Sequence, residues 1–288
     1  MMVPWIKIIQ MEKEIDGFTL GPVDLSIEPG TITALVGDNG SGKSTLLKML
    51  MGMAKPDKGE ISIFGKDVNR EDISWKKKLA FVPQTNIGWN AFTGEQLKKM
   101  ICPLYGKWDE ALFEKMVAGF NIPLNKRFAK MSQGMQQKLS LALALPRKTD
   151  VLLLDEPTSS LDMSSKKFFM DLLVDWMDEE ERAIILTSHQ ADDLKKLADY
   201  LFVIGNGKQI GKYEKEALLE SYRTYWISGK MPESVIPGEM ERKQQQILTS
   251  KPDEAEYYLN GIGAEILEQS SLDLEEIITL ILSKKEGG

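Results

Sequence analysis

The chain of 288 residues holds one cysteine, Cys102, and one histidine, His189. A single cysteine excludes an internal disulfide and a cysteine-built metal site. Basic excess is missing too. The formal net charge of −7 argues against a nucleic-acid binder, whose footprint is normally a basic face. No apolar run approaches the ~18 residues of a membrane-spanning helix. The N-terminal "MMVPWIKIIQ" lacks the charged, apolar and small-residue order of a secretory signal. There are no internal repeats and no low-complexity tract. What remains is an ordinary globular composition, 42% hydrophobic and 27% charged, long enough for about two domains. A cytoplasmic protein is the simplest expectation.

Early segments alternate as short strands do: "WIKII" (5–9), "VDLSI" (23–27), "EISIFGKDV" (60–68) and "KLAFVPQ" (78–84) are expected to be antiparallel. "TITALVG" (31–37) is more continuously apolar and suits a sheet interior. From about Thr85 to Ser132 the periodicity is helical, clearest in "GEQLKKMI" and "DEALFEKMVAGF". "VLLLDE" (151–156) and "AIILTS" (183–188) flank the helical "KKFFMDLLVDWMDEE", a βαβ pattern that predicts an α/β fold with a parallel sheet. "LFVIGNGKQIGKY" (201–213) reads as a hairpin turning at Asn206-Gly207. Past about residue 211 the composition shifts to a small α/β or helical extension running to 288.

"GDNGSGKST" (37–45) fits G-x-x-x-x-G-K-[ST], directly after a predicted strand and before the predicted helix "KSTLLKMLMGM". Gly37, Gly40 and Gly42 let successive N–H groups point at one anion, with Asn39 and Ser41 between them. The helix start adds about half a positive charge. Lys43 supplies a point charge for the β and γ phosphates, Ser44 a hydroxyl for Mg²⁺, and Thr45 continues the loop into the helix. The alternative is a glycine-rich turn that binds nothing, and the flanking strand and helix weigh against it.

Asp155 is placed at the carboxyl end of an apolar strand, where open parallel sheets bind ligands and where it can hold Mg²⁺ through water. Glu156, one residue on, can polarise a water as general base. Two acids capping a surface strand are the bland alternative. His189 ends a third strand on the same edge, so its ring could reach the γ phosphate; otherwise it is a boundary residue before "QADDLKKLAD".

"MSQGMQQKLSLALAL" (131–145) poses a different question, because its helix opens without a carboxylate in a chain rich in acids. Taken together, residues 1–210 resemble the ATP-binding subunit of an ABC (ATP-binding cassette) transporter, and "YRTYW" (222–226) and "SLDLEEIITLIL" look like the C-terminal tails of bacterial exporter-type subunits. "GDNGSGKST" is similar to the Walker A motif, "VLLLDE" to Walker B with its catalytic glutamate, and "SSLD" (159–162) to the D-loop. Gln84 falls at the Q-loop position, where the family senses Mg²⁺ and γ phosphate, and His189 at the switch histidine. "MSQGMQQ" occupies the place of the signature motif. The resemblance implies a P-loop NTPase core with a parallel sheet, an antiparallel β subdomain and an inserted helical subdomain at about 86–148. It also implies a head-to-tail dimer in which each ATP lies between the Walker A loop of one subunit and the signature helix of the other. Ser132 would cap that helix and offer its hydroxyl, and Gly134 an open N–H, across the interface. An acid there would repel the nucleotide, which accounts for its absence.

The sequence departs from the family in two places. Met131, Gln133 and Met135 stand where Leu, Gly and Gln are usual, and the adenine-stacking aromatic has no clear counterpart: Ile15 or Asp16 holds its place, with Phe18 nearby. The implied function is an ATP-hydrolysing subunit driving a separate transmembrane permease from the cytoplasmic face of the cell membrane, with ATP and Mg²⁺ as cofactors. Its partners would be the permease and a second ATP-binding subunit, identical or not, with no nucleic acid. A soluble ABC ATPase clamping a non-membrane partner is the alternative, and Glu156 speaks against a module that binds without hydrolysing. Trp89 and Phe92, after Gln84, either belong to the core of the helical subdomain or line the groove that receives the permease.

Overall fold

The computed structural model describes residues 3–229 and 231–283, which divide into two compact units, Met1–Lys212 and Tyr213–Gly288. The first unit opens with β1 (Ile6–Ile15) and β2 (Phe18–Ile27), antiparallel and joined at Asp16-Gly17, where both φ angles are positive as a tight hairpin requires. Next come β3 (Ile32–Val36), α1 (Lys43–Leu50), β4 (Lys58–Ile63), the two-residue β5 (Lys66–Asp67) and β6 (Leu79–Val82). Three helices then follow without an intervening strand: α2 (Gly94–Ile101), α3 (Glu110–Phe120) and α4 (Gln133–Ala144). Thr93 and Asp109 cap the first two of these through their side chains. The remainder is β7 (Val151–Leu154), α5 (Met163–Asp178), β8 (Ala183–Thr187), α6 (Ala191–Leu197), β9 (Tyr200–Gly205) and β10 (Lys208–Glu214).

Two sheets organise these elements. The antiparallel one runs β2-β1-β4-β5 and the larger one β10-β9-β3-β8-β7-β6. In the larger sheet β9, β3, β8, β7 and β6 are mutually parallel, and β3, β7 and β8 are buried at every residue because both faces are covered. Apolar side chains of α1 (Leu46, Leu47, Leu50) fill one core with Ile6, Ile8 and Leu20 of the small sheet and Leu35, Leu153 and Ile185 of the large one. The fold is thus α/β, with a parallel sheet and an antiparallel companion.

One strand departs from the sequence expectation. "KLAFVPQ" does not join the antiparallel sheet: β6 pairs β7 in parallel, from Leu79 opposite Val151 to Val82 opposite Leu154. A four-residue apolar strand carries no periodicity that reveals its neighbour, and its partner is some seventy residues away in sequence. The consequence matters, because this pairing brings the residues after β6 to the same sheet edge as those after β7.

The second unit contains α7 (Lys215–Glu220), β11 (Arg223–Ser228), β12 (Glu239–Lys243), β13 (Gln246–Thr249), α8 (Pro252–Gly261), β14 (Glu265–Ser271) and α9 (Leu274–Ser283). Its antiparallel sheet has the order β12-β13-β11-β14. Tyr225, Ile227 and Ile247 project from one face onto Ala255 and Leu259 of α8. The Tyr225 hydroxyl, buried by this packing, donates to the Pro252 carbonyl at 3.1 Å. Among the described residues no helix is long and apolar enough to cross a membrane.

Candidate functional site

The loops that follow β3, β6, β7 and β8 emerge at the carboxyl edge of the parallel sheet, where such sheets hold ligands. The loop after β3 wraps back on itself and enters α1 at Gly42, whose φ of +106° strains any side-chain-bearing residue. Lys43 then begins the helix with its ammonium folded over the loop, donating to the carbonyls of Gly37 at 2.7 Å and Asp38 at 2.9 Å. Burial lowers its pKa, and the nearby Glu156, Asp155 and Asp38 oppose that shift. The first turn of α1 contains no acid, so the N–H groups and the dipole face the loop unopposed.

Asp155, buried just beyond β7, accepts hydrogen bonds from the Ser44 hydroxyl at 3.1 Å and the Thr187 hydroxyl at 3.0 Å. Thr187 also accepts from the Glu156 backbone N–H at 2.8 Å. Glu156 has a φ of +50°, an uncommon conformation for a side-chain-bearing residue and one that surrounding contacts must hold in place. Its Oε1 is buried and lies 3.2 Å from Nε2 of His189, whose ring is about half exposed. Burial raises the Glu156 pKa above the usual carboxylate value, and the neighbouring His189 and Lys43 pull it part of the way back.

These groups face one cavity of about 430 Å³. Asn39, Gly40, Gly42, Lys43, Ser44, Thr45, Gln84, Asp155, Glu156 and His189 all line it. Gly37 and Ser41 shape the loop without lining the cavity, and Ser41 is buried. Ile15, Asp16 and Phe18 line the cavity as well. The Phe18 ring also packs on the core and against the backbone of Gly207, so it serves both surfaces. Two larger hollows, of about 570 and 650 Å³, lie in the second unit and contain none of these glycine-loop or strand-end groups.

Ser132 and Gly134 stand apart from the cavity. Ser132 is exposed and caps α4, accepting from the Met135 N–H at 3.3 Å, and no acid occupies the first turn. Gly134 has a nearer constraint: a Cβ there would lie 2.6 Å from the Ser160 carbonyl oxygen. The segment 157–162 is further tied to α4 by Gln137, which donates to the Pro157 carbonyl at 3.3 Å, and by a Lys138–Asp162 ion pair at 2.8 Å. Sequence reasoning did not single out Thr187. Its only sequence signal is a hydroxyl at the end of an otherwise apolar strand.

Trp89 is half-buried, its ring edge-on to buried Phe128 at 5.5 Å, whereas Ile87 is 92% exposed.

The ABC transporter family profile matches residues 20–159. The chain is similar to the ABC transporter ATP-binding protein YtrB of Bacillus subtilis, at 29% identity over 75% of this chain and 74% of the relative. It is 33% identical to the uncharacterized ABC transporter ATP-binding protein YybJ of the same organism, over 70% of this chain and 94% of the relative. A solved ATP-binding subunit of an ABC transporter superposes with a TM-score of 0.68 at 23% identity, over 75% of this chain and 92% of that one.

Proposed function

Because the chain belongs to the ATP-binding proteins of ABC transporters, we propose that it hydrolyses ATP, closing head to tail with a second ATP-binding subunit to drive a separate membrane permease. The observation that carries this reading is the contact of Glu156 with His189 at 3.2 Å beside Lys43 and Asp155, while Ser132, at a helix start free of acid, lies outside that cavity. One subunit holds the phosphates and the base, and the other supplies the last phosphate-binding surface.

Lys43 and the loop amides hold the β and γ phosphates. Ser44, Gln84 and Asp155 present oxygens, the donors that Mg²⁺ prefers, and two of these groups are already 3.1 Å apart. When bound, Mg²⁺ neutralises charge on the phosphate oxygens. Glu156 takes a proton from a water whose oxygen forms a bond to the γ phosphorus. The bond from that phosphorus to the bridging oxygen breaks, and ADP leaves with the electron pair. His189, held against Glu156, orients the carboxylate and donates to the transferred phosphoryl group. The 570 to 650 Å³ hollows of the second unit have no part in these steps.

The permease contact falls after Gln84, where Ile87 projects fully and Trp89 anchors the segment to Phe128. The subunit works at the cytoplasmic face of the membrane, attached through the permease. Its organisation is an ATP-binding domain at 1–210, with its helical subdomain at about 86–148, and a C-terminal extension at 211–288.

Ser132→Arg tests the composite site. Nucleotide binding to the isolated subunit, measured by fluorescent-nucleotide titration, should be unchanged, and ATP-dependent dimerisation and hydrolysis should both be lost. Equal loss of nucleotide binding in the monomer would place the α4 start in its own subunit's site and refute the arrangement. Ser132 is the better probe than Gly134, since any side chain at Gly134 also displaces the Ser160 carbonyl.

A further inference from the structure

Asp193 is a carboxylate buried in α6, 2% exposed, and nothing in the proposed chemistry uses it. Its Oδ2 accepts from the Thr158 hydroxyl at 2.6 Å and from the Ser188 hydroxyl at 3.5 Å. Its Oδ1 lies 2.5 Å from Nζ of Lys166 in α5. Thr158 and Ser188 are themselves buried. Lys166 also donates to the side-chain oxygen of Gln190, whose backbone N–H donates to the Ser188 hydroxyl at 3.1 Å.

The sequence positions of these partners matter more than their number. Thr158 comes two residues after Glu156, while Ser188 and Gln190 bracket His189. The two loops leave adjacent strands, β7 and β8, and run into different helices, α5 and α6. Nothing in the strands fixes their separation beyond the last ladder pair, Leu154 opposite Leu186. Thr187 holds the near side, through Asp155 and the Glu156 N–H. Asp193 holds the far side.

A buried ion is a costly way to fill such a position. Well-packed apolar residues of similar volume commonly serve stability as well or better. Leu194 and Leu197 show that the same helix packs apolar groups into the interior. What a carboxylate offers, and a leucine does not, is an oxygen that accepts from hydroxyls on two loops and a charge that pairs with a lysine on a third segment. The left-handed backbone of Glu156 adds a reason for that grip, because a strained residue persists only where its surroundings over-determine it.

We propose that Asp193 is a positioning residue for hydrolysis: it clamps the loop carrying Glu156 to the loop carrying His189 and so sets the contact between those two side chains. This inference rests on the reading that Glu156 and His189 carry the reaction. It assigns Asp193 no contact with nucleotide.

The experiment compares Asp193→Ala, Asp193→Asn and Leu194→Ala in the full chain, measuring kcat, KM for ATP and melting temperature, with Glu156→Gln alongside. Asp193→Ala should lower kcat by about 10- to 100-fold, the scale of an ångström-sized misplacement, with KM unchanged. Asn, which keeps an acceptor for Thr158, should restore part of that loss. Leu194→Ala loses packing in the same helix and should keep kcat per folded molecule. In a His189→Ala background, followed by single turnover, the further loss on removing Asp193 should largely vanish, because the contact it sets is already gone. If Asp193→Ala does not fold, Thr158→Val breaks the same bond from its other end and should give the same kcat loss. Parent-like kcat in the variant that removes the bond would overturn the proposal. So would an undiminished loss in the His189→Ala background, or an equal loss in Leu194→Ala. If Glu156→Gln turns over at the parent rate, the hydrolytic reading itself fails and this inference falls with it. A slow Glu156→Gln beside a parent-like Asp193→Ala overturns the clamp alone.

Discussion

Replacing Glu156 with glutamine separates the chemistry of this site from its architecture. The amide keeps the side chain's length and can still face His189, but it cannot take a proton from water. General-base catalysis contributes about 10²–10⁴ in rate, so turnover should fall by that factor, equivalent to ~2.7–5.5 kcal/mol of barrier. The folded protein should not suffer. Burial raises the Glu156 pKa, which means the folded state disfavours its ionised form relative to the unfolded chain. The sign follows from linkage: a raised folded pKa gives a contribution fully present below the unfolded value and lost as pH rises through the folded one. At neutral pH the native carboxylate is therefore a net burden, and the neutral amide should melt at the same temperature as the parent or higher. The same raised pKa predicts that parent kcat declines on acidification at a pH above the ordinary glutamate range, and that the residual activity of Glu156→Gln lacks this step. Single-turnover hydrolysis, size-exclusion chromatography with ATP and thermal melts on one preparation give all the readouts. Slow hydrolysis with accumulating ATP-bound dimer and an unchanged or higher melting temperature is the expected set. Hydrolysis at the parent rate would remove Glu156 as the base, and a large fall in melting temperature would show that the pKa argument has the wrong sign.

Two further substitutions probe the surroundings of the site. Thr187→Val keeps the strand's shape but leaves the buried Glu156 N–H without an acceptor and removes one of the two hydroxyl donors of Asp155, Ser44 being the other; it should cost about 2 kcal/mol, or roughly 4–8 °C in Tm, and slow hydrolysis, as calorimetry and a steady-state ATPase assay would show. At the segment after Gln84, Ile87→Ser should change stability by no more than ~0.5 kcal/mol, since the side chain is exposed, yet weaken membrane pull-down by about tenfold or more. Trp89→Ala should instead cost about 2 kcal/mol of stability through lost packing on Phe128 and so lower Tm, and a normal melt for that variant would contradict that packing.

Much of the site was legible because its parts are local. A strand, a glycine-rich loop and a helix start follow one another within Ile32–Leu50, and each residue's placement there follows from backbone direction and spacing along a few turns. The same holds for the acids after "VLLL", which sit just beyond a strand whose every residue is apolar. The carboxylate-free opening of α4 was also visible, since capping and dipole effects act within one turn. The parallel sheet and the hairpin at Asn206-Gly207 followed from patterns of similar range.

Other features depend on which distant segments become neighbours. The membership of β6 in the parallel sheet is decided by pairing with β7, and a short apolar strand is equally at home in either sheet. Gly134 looked like a phosphate contact, and the fold adds that Ser160 leaves it no room for a side chain. Trp89 could have faced a partner or the core, and Phe128, thirty-nine residues on, supplies a packing surface that spacing could not reveal. Thr187 and Asp193 carry no motif of their own, because their value lies in hydrogen bonds to loops thirty or more residues away. By itself, then, the sequence determined the chemical groups and the local backbone that presents them, since these follow from contiguous residues. Only the tertiary structure decided how the loops are held to one another, because hydrogen bonds between distant segments exist only after the sheet order has brought them together.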